Sequence, residues 1–407
     1  MAKVKKILAW EMLLSLGAPG IGAYLETDDG RKVYTATPFE PKKFPYQVNH
    51  LTDNDNGRYG GKGVLQAVHF LNDLIAPKLV GVDVSKQFEV DGWLRSIDSS
   101  EDVNKIGANT MMTISVLFAK AAAFQSGVGI YRLLNNLFSS RYGKLALDKL
   151  PTPIITILEN RSNPNLDFHA FSIISSSSFP FSEALKAGIK IRSTLKQKYN
   201  TTEINTNFQA LRSISESANL SGFKTGKDTF IGINFNAGEY ENNSTYDIKD
   251  RAQSFSKDEY STFLKSIDKE FSPLVFIDPL GPNDWSGWKS LNASFFQESY
   301  LVGGEIIGSN PHRLKKAVED KICSSFVIKI GEVATISEIF IMVDFARKNN
   351  LSYIFSKSLY EGNDSFLADL AVALQSDFIM LGRPIHGESL AKYNRMLEIE
   401  REISKSS

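Results

Sequence analysis

Residues whose types could support chemistry are few and scattered along this chain. Gly303-Gly304 follows a short apolar run. The pair would let a phosphate approach the backbone amides, or it would form a tight turn; we favour the turn. The five histidines show no metal-ligand spacing, so surface or core roles are expected for them. Lys329 stands in the apolar run Val327–Ile330, and because an unpaired buried lysine is costly, we expect an acid beside it.

The first part of the chain predicts a β-hairpin followed by helices. Residues 7–37 have the pattern of strands, and Asp28-Asp29-Gly30 suits the hairpin turn. Apolar residues then recur at spacings of three and four from Val64 to Ile75, which predicts a helix that Pro77 stops. Met112–Ala123 is more fully apolar than that helix and predicts a buried helix.

After Pro151 the pattern changes to short apolar runs that alternate with helical segments. Runs of this length between helices predict parallel strands that are buried on both faces. Six or more of them in series indicate an α/β barrel, in which active-site residues sit at the carboxyl ends of the strands. The runs are 230–235, 274–277, 301–306, 325–330, 351–356 and 377–381.

Composition and charge are those of an ordinary soluble globular protein. The chain has 407 residues, 42% of them apolar and 23% charged, and its 46 lysines and arginines balance 46 acidic residues. We therefore expect neither nucleic acid nor a membrane as a partner. Cys323 is the single cysteine, which fits a reducing compartment and predicts a cytoplasmic location.

Lys3, Lys5 and Lys6 before an apolar run would also suit a secretory signal, but Glu11 interrupts that run and favours a strand.

A series of short motifs runs through nearly the whole chain in one order. They are RYGGKGV at 58–64, NDLIAP at 72–77, KIGAN at 105–109, AKAAA at 119–123, FSEAL at 181–185, DPL at 278–280, ADLAV at 368–372 and LAKYN at 390–394. Together they resemble the enolases, the family of the glycolytic 2-phosphoglycerate dehydratase. The resemblance implies an α/β protein, with an enolase-like N-terminal α+β domain over 1–141 and an enolase-like α/β barrel of the TIM type over 142–407.

The resemblance also implies a site with two Mg²⁺ ions held by acidic residues, a lysine base and a glutamate acid. The positions of the metal carboxylates carry Asn234, Ile277 and Gly304 in this chain, and only Glu305 remains as a neighbouring acid. Asparagine is neutral and isoleucine has no ligand atom, whereas Mg²⁺ prefers oxygen ligands that include carboxylates. We therefore expect no cofactor, with Mg²⁺ bound only if the chain is an enzyme after all.

Other positions of the implied pocket have changed as well. The histidine of the family is Asn163, its catalytic carboxylate segment is His169-Ala170-Phe171, and its lysine after the last strand is Met380. The phosphate-binding segment becomes Ser356–Leu359, in which Lys357 is the candidate substrate-binding residue. A mobile glycine-rich loop is replaced by Thr37–Pro41, which has two prolines and no glycine and hence little hinge freedom.

Two residues match the catalytic positions that the resemblance implies. Lys329 aligns with the base lysine, and Glu203 aligns with the acid glutamate, although the glycine-rich segment after it is mostly deleted. Either these two residues are a remnant acid/base pair, or Lys329 pairs with an acid of the barrel mouth and takes no part in catalysis. We favour the second interpretation.

Enolase subunits pair through charges near the first strand and on the last helix, and these charges differ here. Trp10 replaces an arginine of the first strand, while Glu398 replaces an arginine and Arg401 a glutamate of the last helix. Leu14 and Leu16 stand where the family has charged residues. The family's ion pairs cannot form. We therefore expect self-association of altered geometry, or a different protein partner, on the face of Trp10, Leu14 and Leu16.

These substitutions favour an enolase-like pseudoenzyme that serves as a scaffold or binding subunit. Helices and strands remain recognisable, while the metal ligands, the acid, the phosphate-binding segment and the mobile loop are replaced together. The alternative is a divergent enolase that converts 2-phosphoglycerate to phosphoenolpyruvate with Mg²⁺, or a related lyase that uses Lys329 as its base.

Overall fold

A computed structural model describes residues 2–243, 245–294 and 299–405. The chain begins with three antiparallel strands, β1 (Val4–Leu13), β2 (Pro19–Thr27) and β3 (Lys32–Thr37). The predicted hairpin joins β2 to β3 and is confirmed. Gly30 at its turn has a φ of +85°, which a residue without a Cβ adopts readily.

Helices follow the sheet, and the longest of them, Ala108–Ser126, packs against β2 and β3. This helix is buried along most of its length, so the prediction of a buried helix is confirmed. The bounds are α1 (Leu65–His69), α2 (Ala76–Leu79), α3 (Gln87–Ile97), α4 (Ala108–Ser126) and α5 (Ile130–Tyr142).

The helix predicted from Val64 to Ile75 extends further than its pattern indicated. A π-helical turn, Phe70–Ile75, joins α1 to α2, and Pro77 lies in the first turn of α2. Pro77 thus lies inside a continuous helical segment, which ends at Leu79. The prediction that Pro77 stops the helix is therefore wrong.

Further strands occupy the chain after α5. They are β4 (Thr152–Glu159), β5 (Ala170–Ser175), β6 (Thr229–Asn234), β7 (Glu241–Asn242), β8 (Thr245–Tyr246), β9 (Phe255–Ser256), β10 (Val275–Ile277), β11 (Tyr300–Gly303), β12 (Ser325–Lys329), β13 (Ser352–Ser356) and β14 (Phe378–Met380). Eight of them close into a barrel in the order β10-β11-β12-β13-β14-β4-β5-β6, and β7 to β9 form a small separate sheet. All six predicted runs form barrel strands, which confirms the α/β barrel.

The direction of one barrel strand was not predicted. Strand β5 runs antiparallel to both β4 and β6, whereas the other neighbouring pairs of the barrel are parallel. Helices between the strands cover the barrel on its outside. They are α6 (Phe181–Lys198), α7 (Asn207–Leu220), α8 (Lys257–Phe271), α9 (Trp285–Ser294), α10 (Pro311–Glu319), α11 (Ile336–Lys348), α12 (Phe366–Ala373) and α13 (Gly387–Ser404).

Apolar side chains fill the inside of the barrel. They are Ile154, Ile174, Val275, Ile277, Val302, Val327, Ile354 and Phe378. The end of the barrel at which the parallel strands finish is here called the barrel mouth, and loops that follow these strands surround it. Among the described helices, none alone is long and apolar enough to cross a membrane; α4 and α5 meet that test only together, across a bend of 105°.

Candidate functional site

Strand β12 ends at Lys329, whose ammonium lies between two carboxylates at the barrel mouth. Its Nζ is 3.1 Å from Glu40 Oε1 and 3.2 Å from Glu332 Oε1. Both glutamates are buried. Glu332 also accepts hydrogen bonds from the Ser309 hydroxyl at 2.8 Å and from the Gln47 amide at 3.2 Å. The structure thus places two acids beside Lys329, and further donors hold Glu332 in place.

These charges determine the protonation of Lys329. Burial by itself lowers the pKa of a lysine, but the charges of Glu332 and Glu40 outweigh it and hold the pKa of Lys329 well above its usual value. A lysine that acts as a base needs a lowered pKa, so that the neutral amine is populated near neutral pH. In this arrangement Lys329 is an ammonium ion and a hydrogen-bond donor.

Glu40 belongs to the segment 38–47, here called the mouth loop. Phe39 and Tyr360 exchange both backbone hydrogen bonds, at 3.0 and 3.1 Å, and their rings stack. The second carboxylate oxygen of Glu40 accepts the N–H of Leu359 at 2.6 Å. The backbone and an acidic side chain therefore fix the loop to the segment that follows β13.

The mouth loop also brings a lysine to acids of the barrel mouth. Lys43 Nζ lies 3.0 Å from Glu305 Oε1 and 3.6 Å from Glu239 Oε1. Tyr46 donates its hydroxyl to the Glu305 carbonyl at 2.7 Å. A single loop thus supplies a carboxylate to Lys329 and an ammonium to two acids.

Asp278 is an acid of the mouth with a perturbed pKa. It directly follows β10 with a φ of +47°, and its carboxylate accepts the N–H of Gly304 at 2.8 Å and that of Glu305 at 2.9 Å. Burial, together with the charge of Glu305, raises the pKa of Asp278 to about 7. Near neutral pH a substantial share of this carboxyl group is therefore protonated.

The three positions that the resemblance assigns to metal ligands lie on neighbouring strands. Ile277 pairs with Asn234 on one side and Val302 on the other, and its side chain belongs to the apolar filling of the barrel. Gly304 points its N–H at Asp278. Within the described ranges, no group of three or more His, Cys, Asp or Glu residues is placed to hold a metal ion. The side chains at these positions do not match the donor set that Mg²⁺ prefers.

Three more positions of the implied pocket are occupied by side chains that are buried or packed against the core. Asn163 is fully buried, and its amide donates to the carbonyls of Thr201 at 2.8 Å and Ile204 at 2.7 Å. Met380 packs against the apolar filling of the barrel. Burial lowers the pKa of His169, so its imidazole is neutral near pH 7.

Comparison with families of known proteins agrees with this architecture. The family model of the enolase N-terminal domain matches residues 4–134, and that of the enolase C-terminal TIM barrel domain matches residues 147–407. The chain belongs to the enolase family. The predicted family and fold are confirmed, and the boundary between 141 and 142, which lies between the two matched ranges, stays a prediction.

In this enolase-family chain, the predicted acid and base are not in contact. Glu203 lies in an exposed turn, and its carboxylate accepts a hydrogen bond from the Asn200 amide at 2.7 Å. No hydrogen bond or ion pair of the described residues joins it to Lys329. Lys357 is half-buried just after β13, and its side chain passes over Gly382.

The predicted interface residues of the first strand divide between surface and interior. Trp10 is 39% exposed, and Leu16 is 72% exposed in the turn after β1. Leu14 is only 6% exposed, so its predicted place on this surface is wrong. Its side chain lies over Gly20, where a Cβ would clash with a Leu14 methyl carbon, so the glycine makes room for it.

The outer face of the sheet carries a row of partly exposed side chains. Strand register places Leu8 opposite Tyr24, and Tyr24 opposite Tyr34, on the side that also carries Trp10. These four residues are here called the outer face. On α13, Glu398 forms an ion pair with Arg395 of the same helix at 3.0 Å, and Arg401 is exposed.

Sequence reasoning missed Glu40, Lys43 and Glu332 as residues of the site. The available signal was the substitution of a mobile glycine-rich loop by a segment in which Glu40 stands beside Pro41. The partner of Glu40 was not visible, because Lys329 lies 289 positions further along the chain.

Proposed function

We propose that this protein does not dehydrate 2-phosphoglycerate and serves instead as an enolase-like scaffold or binding subunit. The observation that carries the proposal is the ion pairing of Lys329 with Glu40 and Glu332. A base must be neutral and must reach its substrate. Lys329 is a charged ammonium, and it forms an ion pair with Glu40 of the mouth loop.

The metal positions support the same proposal. Enolase-type dehydration develops negative charge that carboxylate-held metal ions stabilise. Ile277 and Gly304 bring no donor side chain to this place, and Asn234 brings no charge. Glu305, the acid that remains, is already neutralised by Lys43. We therefore propose that the Mg²⁺ site of the family is lost.

Turnover distinguishes this proposal from its alternative, a divergent enolase or related lyase that uses Lys329 as its base. Purified protein with 2-phosphoglycerate and Mg²⁺ is expected to give no more phosphoenolpyruvate absorbance than a protein-free blank. Lys329→Ala is expected to give the same result. Turnover that is present in the wild type and in Lys315→Ala, an exposed control, but absent in Lys329→Ala would establish the alternative.

Millimolar Mg²⁺ is expected to leave the melting temperature unchanged. A ligand that binds only the native state raises its stability by RT ln(1 + [L]/Kd), so a working site would produce a saturating rise. The measurement is a thermal melt across a Mg²⁺ series, with NaCl of equal ionic strength as the control. A saturating rise that NaCl does not reproduce would show that the chain holds Mg²⁺ by other residues.

We further propose that the outer face binds a second copy of this chain, in a geometry different from the family's dimer. Aromatic side chains of the kind that Trp10 and Tyr34 expose are enriched at protein interfaces. Glu398 and Arg401 reverse the charges that the family places on the last helix. An ordinary enolase subunit would therefore meet like charges there.

Light scattering is expected to show self-association of the wild type that Trp10→Glu abolishes. A charge at that position would have to be desolvated at the interface. Ile341→Glu on α11, where the side chain is also exposed, is the matched control and is expected to associate like the wild type. A wild type that stays monomeric at all concentrations would exclude the second copy and leave a different protein as the partner.

A further inference from the structure

The mouth loop is attached at its beginning by aromatic contacts and a close approach to a glycine. The ring of Phe39 stacks on Tyr360 at 5.7 Å and meets the ring of His50 at 4.9 Å, edge-on, as measured between centroids. His50 Nε2 lies 2.6 Å from the Gly331 carbonyl in the turn after β12. A Cβ at Gly331 would stand 3.2 Å from that of Glu40, so the glycine leaves room for the loop. The beginning of the loop is thus packed against the turns after β12 and β13.

The middle of the mouth loop is held by a buried glutamine. The side-chain oxygen of Gln47 accepts the N–H groups of Lys43 at 2.8 Å and Phe44 at 3.1 Å. Its side-chain N–H donates to Glu332, one of the two acids that hold Lys329. Gln47 is only 4% exposed. One amide group therefore closes the turn of the loop and joins it to the ion pairs of the barrel mouth.

The end of the mouth loop is held through Tyr46. Its ring stacks on the guanidinium of Arg313 on α10, with Cζ 3.6 Å from the ring centroid, which is a cation–π contact. Its carbonyl accepts the side-chain N–H of Asn310 at 2.8 Å, and its hydroxyl donates to the Glu305 carbonyl. Gly308, with a φ of +58°, faces the same ring, where a Cβ would come within 2.8 Å of it. Residues that follow β11 thus hold this end of the loop.

These contacts are those of a fixed segment and not those of a lid. A lid that closes on a ligand takes part of its contacts from that ligand, and mobile segments have few buried contacts. Every anchor of the mouth loop described above belongs to the chain itself. The charges are matched as well, because Glu40 pairs with Lys329 and Lys43 pairs with Glu305. The loop therefore needs no further group to stay in place.

We propose that the mouth loop is a strap, fixed across the loops that follow β11, β12 and β13, and that it stays closed without a ligand. The strap joins these three loops, so they move as one rigid unit. The family resemblance implies the opposite at this place, a mobile glycine-rich loop. The strap concerns the motion of the barrel mouth and not its chemistry, so it can fail while the proposed loss of turnover and of the Mg²⁺ site stands.

Hydrogen–deuterium exchange of the full-length protein, without added ligand, tests the strap. The probes are four hydrogen-bonded N–H groups of the mouth loop, those of Phe39, Lys43, Phe44 and Gln47. In the wild type they are expected to exchange at least a hundredfold more slowly than in an unfolded peptide. Glu40→Gln removes the charge that pairs with Lys329 and is expected to speed their exchange at least tenfold. Glu183→Gln, the same change at an exposed glutamate of α6, is the matched control and is expected to exchange like the wild type.

Tyr46→Ala is the second variant, because it removes the ring from Arg313 without a change of charge. It is also expected to speed exchange of the loop at least tenfold, whereas peptides from α4 stay as slow as in the wild type and show that the fold is intact. Tyr199→Ala, directly after α6, is the control for the loss of a tyrosine ring and is expected to leave the loop unchanged.

Limited digestion with trypsin measures the same motion independently. Lys42 and Lys43 are exposed, so the bonds after them are cut as soon as the loop opens. These bonds are expected to resist trypsin in the wild type and to be cleaved at least tenfold faster in Tyr46→Ala.

Fast exchange of the four N–H groups in the wild type would overturn the strap. A loop whose exchange becomes slow only after 2-phosphoglycerate and Mg²⁺ are added would also overturn it, since that is the behaviour of a lid. Equal exchange in Glu40→Gln, in Tyr46→Ala and in their controls would show that these anchors do not hold the loop. Turnover is measured separately, so the strap and the proposed loss of activity can fail independently.

Discussion

Replacing Lys329 with methionine is expected to lower the free energy of unfolding by about 3 kcal/mol near neutral pH. Methionine keeps much of the side-chain volume but leaves two buried acids, Glu40 and Glu332, without their shared counter-charge. The Lys329 side chain is 27% exposed, which places the effect at the low end for a broken buried ion pair. Burial already raises the pKa of Glu332, and losing Lys329 raises it further, so the loss is expected to shrink near pH 5.

The measurement is urea-induced unfolding of the wild type and of Lys329→Met, near neutral pH and near pH 5. Lys315→Met is the control, because that lysine is 66% exposed and its ion pair with Glu319 is worth less than ~0.5 kcal/mol. Adding Glu40→Gln to Lys329→Met is expected to restore part of the loss, since one of the two unpaired charges disappears. Equal, small losses for the two lysine variants would show that the buried ion pairs contribute little.

Asp278→Asn is expected to make the protein more stable than the wild type at about pH 8. The pKa of Asp278 in the folded protein, about 7, lies above the ordinary aspartate value, so between the two values the folded state binds more protons than the unfolded state. The wild type therefore loses stability as the pH rises through this window, by on the order of 4 kcal/mol. Asparagine carries no charge, keeps an oxygen for the N–H groups of Gly304 and Glu305, and tolerates a positive φ.

The measurement is the free energy of unfolding of wild type and variant from about pH 4 to pH 8. The two curves are expected to diverge as the pH rises. Asp73→Asn, at a side chain that is 71% exposed, is the control and is expected to give a curve parallel to that of the wild type. Parallel curves for Asp278→Asn as well would mean that Asp278 ionises at its ordinary pH in the folded protein.

The barrel could be predicted because its signal is local. Each parallel strand, such as β12 or β13, is buried on both faces and is therefore a short apolar run. Such a run can be recognised in the sequence without knowledge of the strands that pair with it. The direction of β5 depends on how the chain returns to the sheet, and no residue of Ala170–Ser175 encodes it. The effect of Pro77 was also not predictable from its own position, because a π-helical turn precedes it in the same helical segment.

The site could be predicted only where one position decides the chemistry. Ile277 removes a ligand whatever surrounds it, and that is visible in the sequence. Lys329 was expected beside an acid, but which acid depends on a loop that lies far away in the chain. Leu14 appeared to be a surface residue because its burial depends on Gly20, a contact across a turn. The cytoplasmic location, which rests on Cys323, stays a prediction.

The pairing of Phe39 with Tyr360 has a consequence for how the protein is made. Glu40 accepts the N–H of a residue 319 positions later, and Thr35 of strand β3 binds Asp364, 329 positions later. A ribosome releases residues in order, so the first strands emerge long before the segment to which they attach. Contacts between such distant residues slow folding, because a long loop must close before they form. Throughout synthesis of the barrel, Thr35 and Glu40 therefore lack the partners that they have in the folded protein.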